Sequence, residues 1–407
     1  VTIPAPSPTP PPSSDHIRIM IVDDSVFVRG ILKTWLSEDP EFAVVATHAN
    51  GRLAVNDVVA AQPDVVILDL EMPDMDGLQA LPIILERKPN TMVVVASTLT
   101  RRGAEVSLRA LTLGAADYLP KPDAGRGIAA ADDFKRELLA KVRSLGQRAR
   151  RRPGLARPSA SAPAAAAPPA PTASEGARAT ATAARPATPA PPPPVAAPLK
   201  RGETRMRSYS MSPVGILTIG SSTGGPQALT RLFGQIGQAV GTVPVVIAQH
   251  MPATFTAILA EHVSRAAGRP AAEGVDGEEL VPGRIYIAPG GRHMVVERVK
   301  GKPGIIRLND DPPVNFCRPA VDPLFNAVAQ GFGSHTLALV LTGMGSDGAR
   351  GAGVIADAGG SVIVQDEETS VVWGMPGATA SAGNACEILP LDGIARKVNR
   401  LLTGARS

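Results

Sequence analysis

Between residues 148 and 212 the chain loses almost every large apolar side chain and becomes a run of Ala, Pro, Arg and Thr, including Ala164-Ala165-Ala166-Ala167-Pro168-Pro169 and Pro191-Pro192-Pro193-Pro194. Such a segment has too little to bury to offset the entropy of ordering it, so no single core can run through it. The 407 residues are therefore expected to fold as two bodies on either side of a semi-extended linker. The division reads as a proline-rich disordered tail at 1–16, a first domain at 17–147, the linker at 148–212 and a second domain at 213–403.

Charge follows the same division. Between Arg148 and Arg207 there are eleven Lys and Arg against two Glu, while the whole chain carries a net charge of only +4, so the two folded parts are mildly acidic. With aromatic residues at 3%, neither has the basic, base-stacking face that nucleic-acid binding needs. Cys317 and Cys386 form no C-x-x-C or zinc spacing, which suits a reducing compartment and a cytoplasmic location. The tail lacks the basic and apolar regions of a secretory signal, and no apolar run approaches the ~20 residues of a membrane span, so direct membrane insertion is not expected.

Both parts alternate Val/Ile-rich runs with helical stretches, the rhythm of a parallel sheet covered on both faces. In the first, Ile17-Arg18-Ile19-Met20-Ile21-Val22 ends at Asp23 and Asp24, and Asp64-Val65-Val66-Ile67-Leu68 ends at Asp69. Any one of these acids could cap a helix. Three carboxylates at one sheet edge instead call for a cation, and oxygen ligands of this kind describe a Mg²⁺ site. Val93-Val94-Val95-Ala96-Ser97-Thr98 places a hydroxyl after the next strand, and Asp117-Tyr118-Leu119-Pro120-Lys121-Pro122 places a lysine after another.

In the second part, Gly220-Ser221-Ser222-Thr223-Gly224-Gly225 lies between an apolar strand and a helical segment. It fits the G-x-S-x-G elbow that lifts a serine hydroxyl above a sheet, and makes Ser222 the candidate nucleophile. A phosphate loop would occupy the same place, but no Gly-Lys-Ser/Thr follows. One buried strand ends in Gln249-His250-Met251-Pro252, another in Thr342-Gly343-Met344-Gly345-Ser346-Asp347-Gly348. All three sit beyond the carboxyl ends of parallel strands, where catalytic groups of open α/β sheets converge, so Ser222, His250 and Asp347 can form a triad in an unusual chain order. His293, in its own glycine-rich loop, is the rival base, read as substrate-side or structural. Asp310, Asp311 and Asp322 are left outside the triad.

The set Asp-Asp, Asp, Ser/Thr and Lys-Pro, with Met72-Pro73-Asp74-Met75-Asp76-Gly77 after the third acid, closely resembles the receiver domain of two-component response regulators over residues 17–145. That resemblance implies a flavodoxin-like, doubly wound domain in which Asp69 accepts a phosphoryl group and Asp23, Asp24 and Asp69 hold Mg²⁺. Ser97, or its neighbour Thr98, and Lys121 would contact the phosphoryl oxygens; Ser97 is preferred because it ends the apolar run. Tyr118 matches an aromatic that reports switching in many receivers, although an ordinary sheet-edge aromatic reads equally well. Pro120 before Lys121 departs from the common pattern and stiffens that loop.

Most receivers drive DNA-binding outputs, yet the second part is too long and strand-rich for a helix-turn-helix. A receiver, a linker, then Ser-Ser-Thr-Gly-Gly-Pro, Gln-His-Met-Pro and Thr-Gly-Met-Gly-x-Asp-Gly resemble the CheB family of chemotaxis protein-glutamate methylesterases. The resemblance implies a second doubly wound parallel-sheet domain, needing no cofactor, that hydrolyses glutamate γ-methyl esters on chemoreceptors and also deamidates receptor glutamines. A chemotaxis histidine kinase would be the phosphodonor. Carried over, Ser222 attacks, His250 moves the proton, Asp347 orients the imidazole, and the backbone N–H groups of Thr223 and Met344 hold the oxyanion.

Overall fold

The computed structural model describes residues 16–121, 127–151, 206–299 and 301–403. Residues 1–15 of the tail and most of the expected linker lie outside the described residues.

The first domain runs β1 (Ile17–Val22), α1 (Val26–Ser37), β2 (Phe42–His48), α2 (Gly51–Ala61), β3 (Val65–Asp69), α3 (Gly77–Arg87), β4 (Met92–Ser97), α4 (Arg101–Thr112), β5 (Asp117–Pro120) and α5 (Gly127–Arg151). Its sheet is parallel in the order β2-β1-β3-β4-β5. β3 and β4 are buried along their whole length because helices cover both faces. Short polar side chains start the helices: Ser25, Asn50 and Thr100 each accept a backbone N–H, and Asp76 with Gln79 closes a capping box. The strand order reverses between β1 and β3, which opens a crevice beyond their carboxyl ends.

The second domain comprises β6 (Ile216–Ser221), α6 (Gly225–Ile236), β7 (Val245–Gln249), α7 (Phe255–Ala267), β8 (Ala271–Glu273), β9 (Ile285–Ile287), β10 (His293–Arg298), β11 (Gly304–Asn309), α8 (Val321–Phe332), β12 (Thr336–Val340), α9 (Ala349–Asp357), β13 (Ser361–Gln365), α10 (Met375–Ser381), β14 (Glu387–Leu389) and α11 (Leu391–Thr403). Seven strands form a parallel sheet, β14-β13-β12-β6-β7-β9-β8, with β10 and β11 as a separate antiparallel hairpin. Here the reversal falls between β12 and β6. The ladder continues past both strand ends through Leu341 N–H to Gly220 O (2.9 Å) and Ser222 N–H to Thr342 O (3.0 Å).

The two domains share one hydrophobic cluster that continues from α2, α3 and α4 into α6 and α7. At its edge Tyr118 of β5 stacks on Phe255 of α7, with ring centroids 4.7 Å apart and 17° between the planes. Tyr118 is thus an interdomain contact, which neither reading from the sequence anticipated. Beside it the buried Asp117 carboxylate accepts from Thr223 Oγ1 at 2.7 Å and faces Lys141 Nζ at 3.1 Å. Lys141 is itself buried, donating to Tyr118 O (2.6 Å) and pairing with Glu137 (2.9 Å). Lys141→Met keeps the apolar stem but strands Asp117 without its cation. We expect it to cost about 3 kcal/mol, read as a lower urea midpoint at unchanged m-value.

Helix α5 runs through Arg148 to Arg151, taking in the first four residues of the expected linker. Arginines in its last turn suit the negative end of the helix and find acceptors on the second domain, Glu368 O (2.6 Å) for Arg148 and Glu367 (3.5 Å) for Arg151. At the other end, residues 206–212 belong to the second domain. Arg207 N–H donates to Ala385 O (2.8 Å) and Ser210 Oγ to Ser334 O (2.7 Å).

Candidate active site

Ser222, His250 and Asp347 follow β6, β7 and β12, three consecutive strands of the sheet flanking the reversal. Glycines make the elbow possible. Gly224 adopts φ +77°, a left-handed backbone, and a Cβ there would lie 2.5 Å from Val371 Cγ2. Gly343 lets the β12 loop approach, since a Cβ would come within 2.8 Å of Ser222 Cβ. Helix α6 then begins with no side-chain cap.

His250 Nε2 lies 2.7 Å from Asp347 Oδ2. Asp347 is buried, and its charge is held at the start of α8, a helix whose N-cap, Ala320, has no side chain to offer. The carboxylate acts as that cap from another element. Oδ2 accepts from Val321 N (2.6 Å), and Oδ1 from Asp322 N (3.0 Å) and Gly348 N (2.9 Å), with Asn315 Nδ2 at 3.4 Å. Burial works against this charge, yet the imidazole and the helix N–H groups outweigh it and hold the Asp347 pKa below its ordinary value. Burial likewise opposes an imidazolium at His250, but the hydrogen bond to Asp347 and the nearby Cys317 side chain prevail, so the ring's pKa lies above the usual 6.5.

With Nε2 committed to Asp347, Nδ1 is the ring nitrogen not paired with the carboxylate, and the Cys317 side chain also lies against the imidazole. Among the described residues Ser222 Oγ makes no hydrogen bond to the ring, and catalytic hydrogen bonds often tighten only when substrate binds. The two backbones are adjacent: His250 N–H donates to Ser221 O at 3.1 Å. The N–H groups of Thr223 and Met344 have no acceptor among the described residues. They are free to serve an oxyanion, while Thr223 O is pinned by Thr342 Oγ1 at 2.8 Å.

His293 is buried and does not join this group. It accepts from Ala320 N and faces Pro312 O, both at 3.2 Å, and so braces the loop that carries Asn315 and Cys317. Asp322 ties α8 to Gly351 N (2.8 Å), and Asp310 pairs with Arg292 (3.2 Å). Reading the sequence missed Gln249, Asn315, Cys317 and Asp117. Gln249 left a signal, a large polar side chain closing an otherwise apolar strand beside His250.

In the first domain Asp23, Asp24 and Asp69 present oxygens within 4.8 Å of one another. Lys121 Nζ lies 2.8 Å from Asp69 Oδ2 and 2.9 Å from Asp23 Oδ2, so one ammonium faces both buried carboxylates. An all-oxygen donor set of three clustered carboxylates, with one lysine against two of them, fits a hard divalent cation such as Mg²⁺. Burial raises the Asp69 pKa, opposed by Lys121. Lys121 feels the same burial, but the two carboxylates dominate and raise its pKa. Ser97 Oγ is engaged elsewhere, donating to Gly103 O of α4 at 3.0 Å.

The family description "CheB methylesterase" matches residues 217–398, and "Response regulator receiver domain" matches residues 19–131. A protein-glutamate methylesterase/protein-glutamine glutaminase of group 2 operon from Rhodopseudomonas palustris is 50% identical over 397 residues, covering 97% of this chain and 96% of the relative. A protein-glutamate methylesterase/protein-glutamine glutaminase from strain BisB5 of that species is 51% identical over 393 residues, with 97% and 96% covered. A group 2 operon relative from Bradyrhizobium diazoefficiens is 51% identical over 391 residues, with 96% and 95% covered. Likeness at this level over nearly the full length of both chains settles the family: the chain belongs to the CheB methylesterases, with a response regulator receiver domain preceding the catalytic domain.

Proposed function

We propose that this chain is a phosphorylation-controlled esterase that hydrolyses glutamate γ-methyl esters on chemoreceptors, releasing methanol, and deamidates receptor glutamines by the same route. The observation that carries the reading is the His250–Asp347 pair, anchored on the first turn of α8 one strand from Ser222. Ser222 Oγ attacks the ester carbonyl while His250 Nδ1 takes its proton; the imidazolium then gives that proton to departing methanol. Water, deprotonated by His250, cleaves the acyl-enzyme and frees Ser222. Asp347 stabilises the imidazolium, and the Thr223 and Met344 N–H groups receive the oxyanion. With a glutamine the leaving group is ammonia.

Regulation in this reading runs through the receiver, residues 17–147, onto the catalytic domain at 213–403. Asp69 would take a phosphoryl group from a chemotaxis histidine kinase. Mg²⁺ held by Asp23, Asp24 and Asp69 would supply positive charge to the transferring phosphoryl oxygens. Lys121 stands ready to pair with those oxygens, and Ser97 would exchange Gly103 O for one of them. Support for a resting inhibited state comes from Asp117, which holds Thr223 beside the nucleophile. Among the described residues no helix is long and apolar enough to cross a membrane.

The test is methanol release from methylated receptor membranes with and without a small-molecule phosphodonor. Release should rise with phosphodonor in the wild type, and Asp69→Asn should keep basal release while losing the rise. No release under either condition refutes the esterase; an undiminished rise in Asp69→Asn refutes the assignment of the acceptor.

A further inference from the structure

Gln249 closes β7, is 1% exposed and pairs in register with Ser221 of β6. Its carboxamide oxygen accepts from Ser221 Oγ at 2.7 Å. Its nitrogen donates to Ser222 O at 2.9 Å and to His250 O at 3.2 Å. Both of those partners are carbonyls and can only accept, so the NH₂ group must face them and the orientation of the amide is fixed. One side chain thus gives one hydrogen to the residue carrying the nucleophile and the other to the residue carrying the base. Room for it is reserved: a Cβ on Gly225 would stand 2.0 Å from Gln249 Oε1.

The carbonyl it holds has a partner on the same peptide plane. Ser222 C=O and Thr223 N–H belong to one trans amide, so they point in opposite directions and cannot be turned separately. Gln249 Nε2 and Gly225 N–H (2.7 Å) draw Ser222 O to one side. Thr223 N–H is thereby aimed the other way, and it has no acceptor among the described residues. We propose that Gln249 is a positioning residue for the esterase: by clasping Ser222 O and His250 O it sets the Ser222–Thr223 peptide as an oxyanion donor and fixes the spacing of nucleophile and base. This rests on the Ser222 reading above. A donor aimed at the developing charge works only in the transition state, so its misalignment lowers kcat and leaves KM nearly untouched.

Gln249→Glu keeps the volume and the acceptor for Ser221 but replaces both donors with a carboxylate facing two carbonyls; Gln249→Leu removes all three bonds. Each is assayed in the full-length protein, activated with phosphodonor, for methanol release normalised to sites labelled by a fluorophosphonate. The expected result is a kcat per labelled site lower by roughly 10- to 100-fold with KM within about twofold. The ratio of Gln249→Glu to wild-type kcat should rise as pH falls, because the protonated acid regains one donor. Unchanged kcat per labelled site in folded Gln249→Glu overturns the proposal, as does a smaller labelled fraction with normal kcat, which marks a role in stability alone. Ser222→Ala in the same assay keeps the questions apart: if it releases methanol at the wild-type rate, the reading of the site has failed, whereas an inactivated Ser222→Ala beside a fully active Gln249→Glu fails only the clasp.

Discussion

Asp347→Asn should lower kcat on the order of 10⁴-fold while leaving the fold intact. Both carboxylate oxygens face donors: Oδ2 meets His250 Nε2 and Val321 N–H, and Oδ1 meets Asp322 N–H and Gly348 N–H. An asparagine presents an NH₂ group to one of these sets. Two backbone donors hold Oδ1 and one holds Oδ2, so the NH₂ takes the Oδ2 place, giving up the Val321 bond, and confronts His250 Nε2. The imidazole then settles as the tautomer with Nε2 bare and Nδ1 protonated, which cannot accept the Ser222 proton.

The pH profile gives a second, independent signature. Asp347 raises the His250 pKa above 6.5, and a general base works only when deprotonated, so wild-type kcat/KM falls as pH drops through that raised value. Burial lowers an imidazole pKa, and removing the carboxylate's charge leaves only the Cys317 side chain to oppose it, so the ring's pKa falls. The acid limb of Asp347→Asn should therefore move to lower pH. A limb that stays in place would show that the titrating base is another group.

The central strands of both sheets and the loops bearing Ser222, His250 and Asp347 were legible because buried parallel strands write themselves as continuous apolar runs, and chemistry gathers where those runs stop; the short, half-buried edge strands β8 and β14 carry no such run and were not read. Receiver acids were legible for the same reason. Asp117 was not: its partners Lys141 and Thr223 lie 24 and 106 residues away, and no local period records which surfaces meet. The anchoring of Asp347 by α8 also escaped notice, since Ala320 gives no hint that a cap arrives from elsewhere. The expected linker began too early because arginine-rich composition reads as solvated chain, whereas Arg148 and Arg151 extend α5 toward acceptors on the second domain.

Ser222→Ala separates an enzyme from a regulated binding module, and its expected effect is the largest, a loss of kcat of roughly a millionfold. The substitution removes one oxygen and keeps the Cβ that packs against Gly343, so neither the elbow nor the domain contact has reason to shift. Ser221, next in the chain, cannot take over: it is fully buried and its hydroxyl is spent on Gln249 Oε1. A fluorophosphonate should accordingly label phosphodonor-treated wild type at one site and leave Ser222→Ala unlabelled, with equal affinity of both for receptor membranes. A binding module with vestigial chemistry predicts equal labelling and unchanged methanol release in the two proteins. Residual release in Ser222→Ala that tracks the His250 titration would instead mean that the imidazole activates water directly, with the Thr223 and Met344 donors still in place to receive the oxyanion.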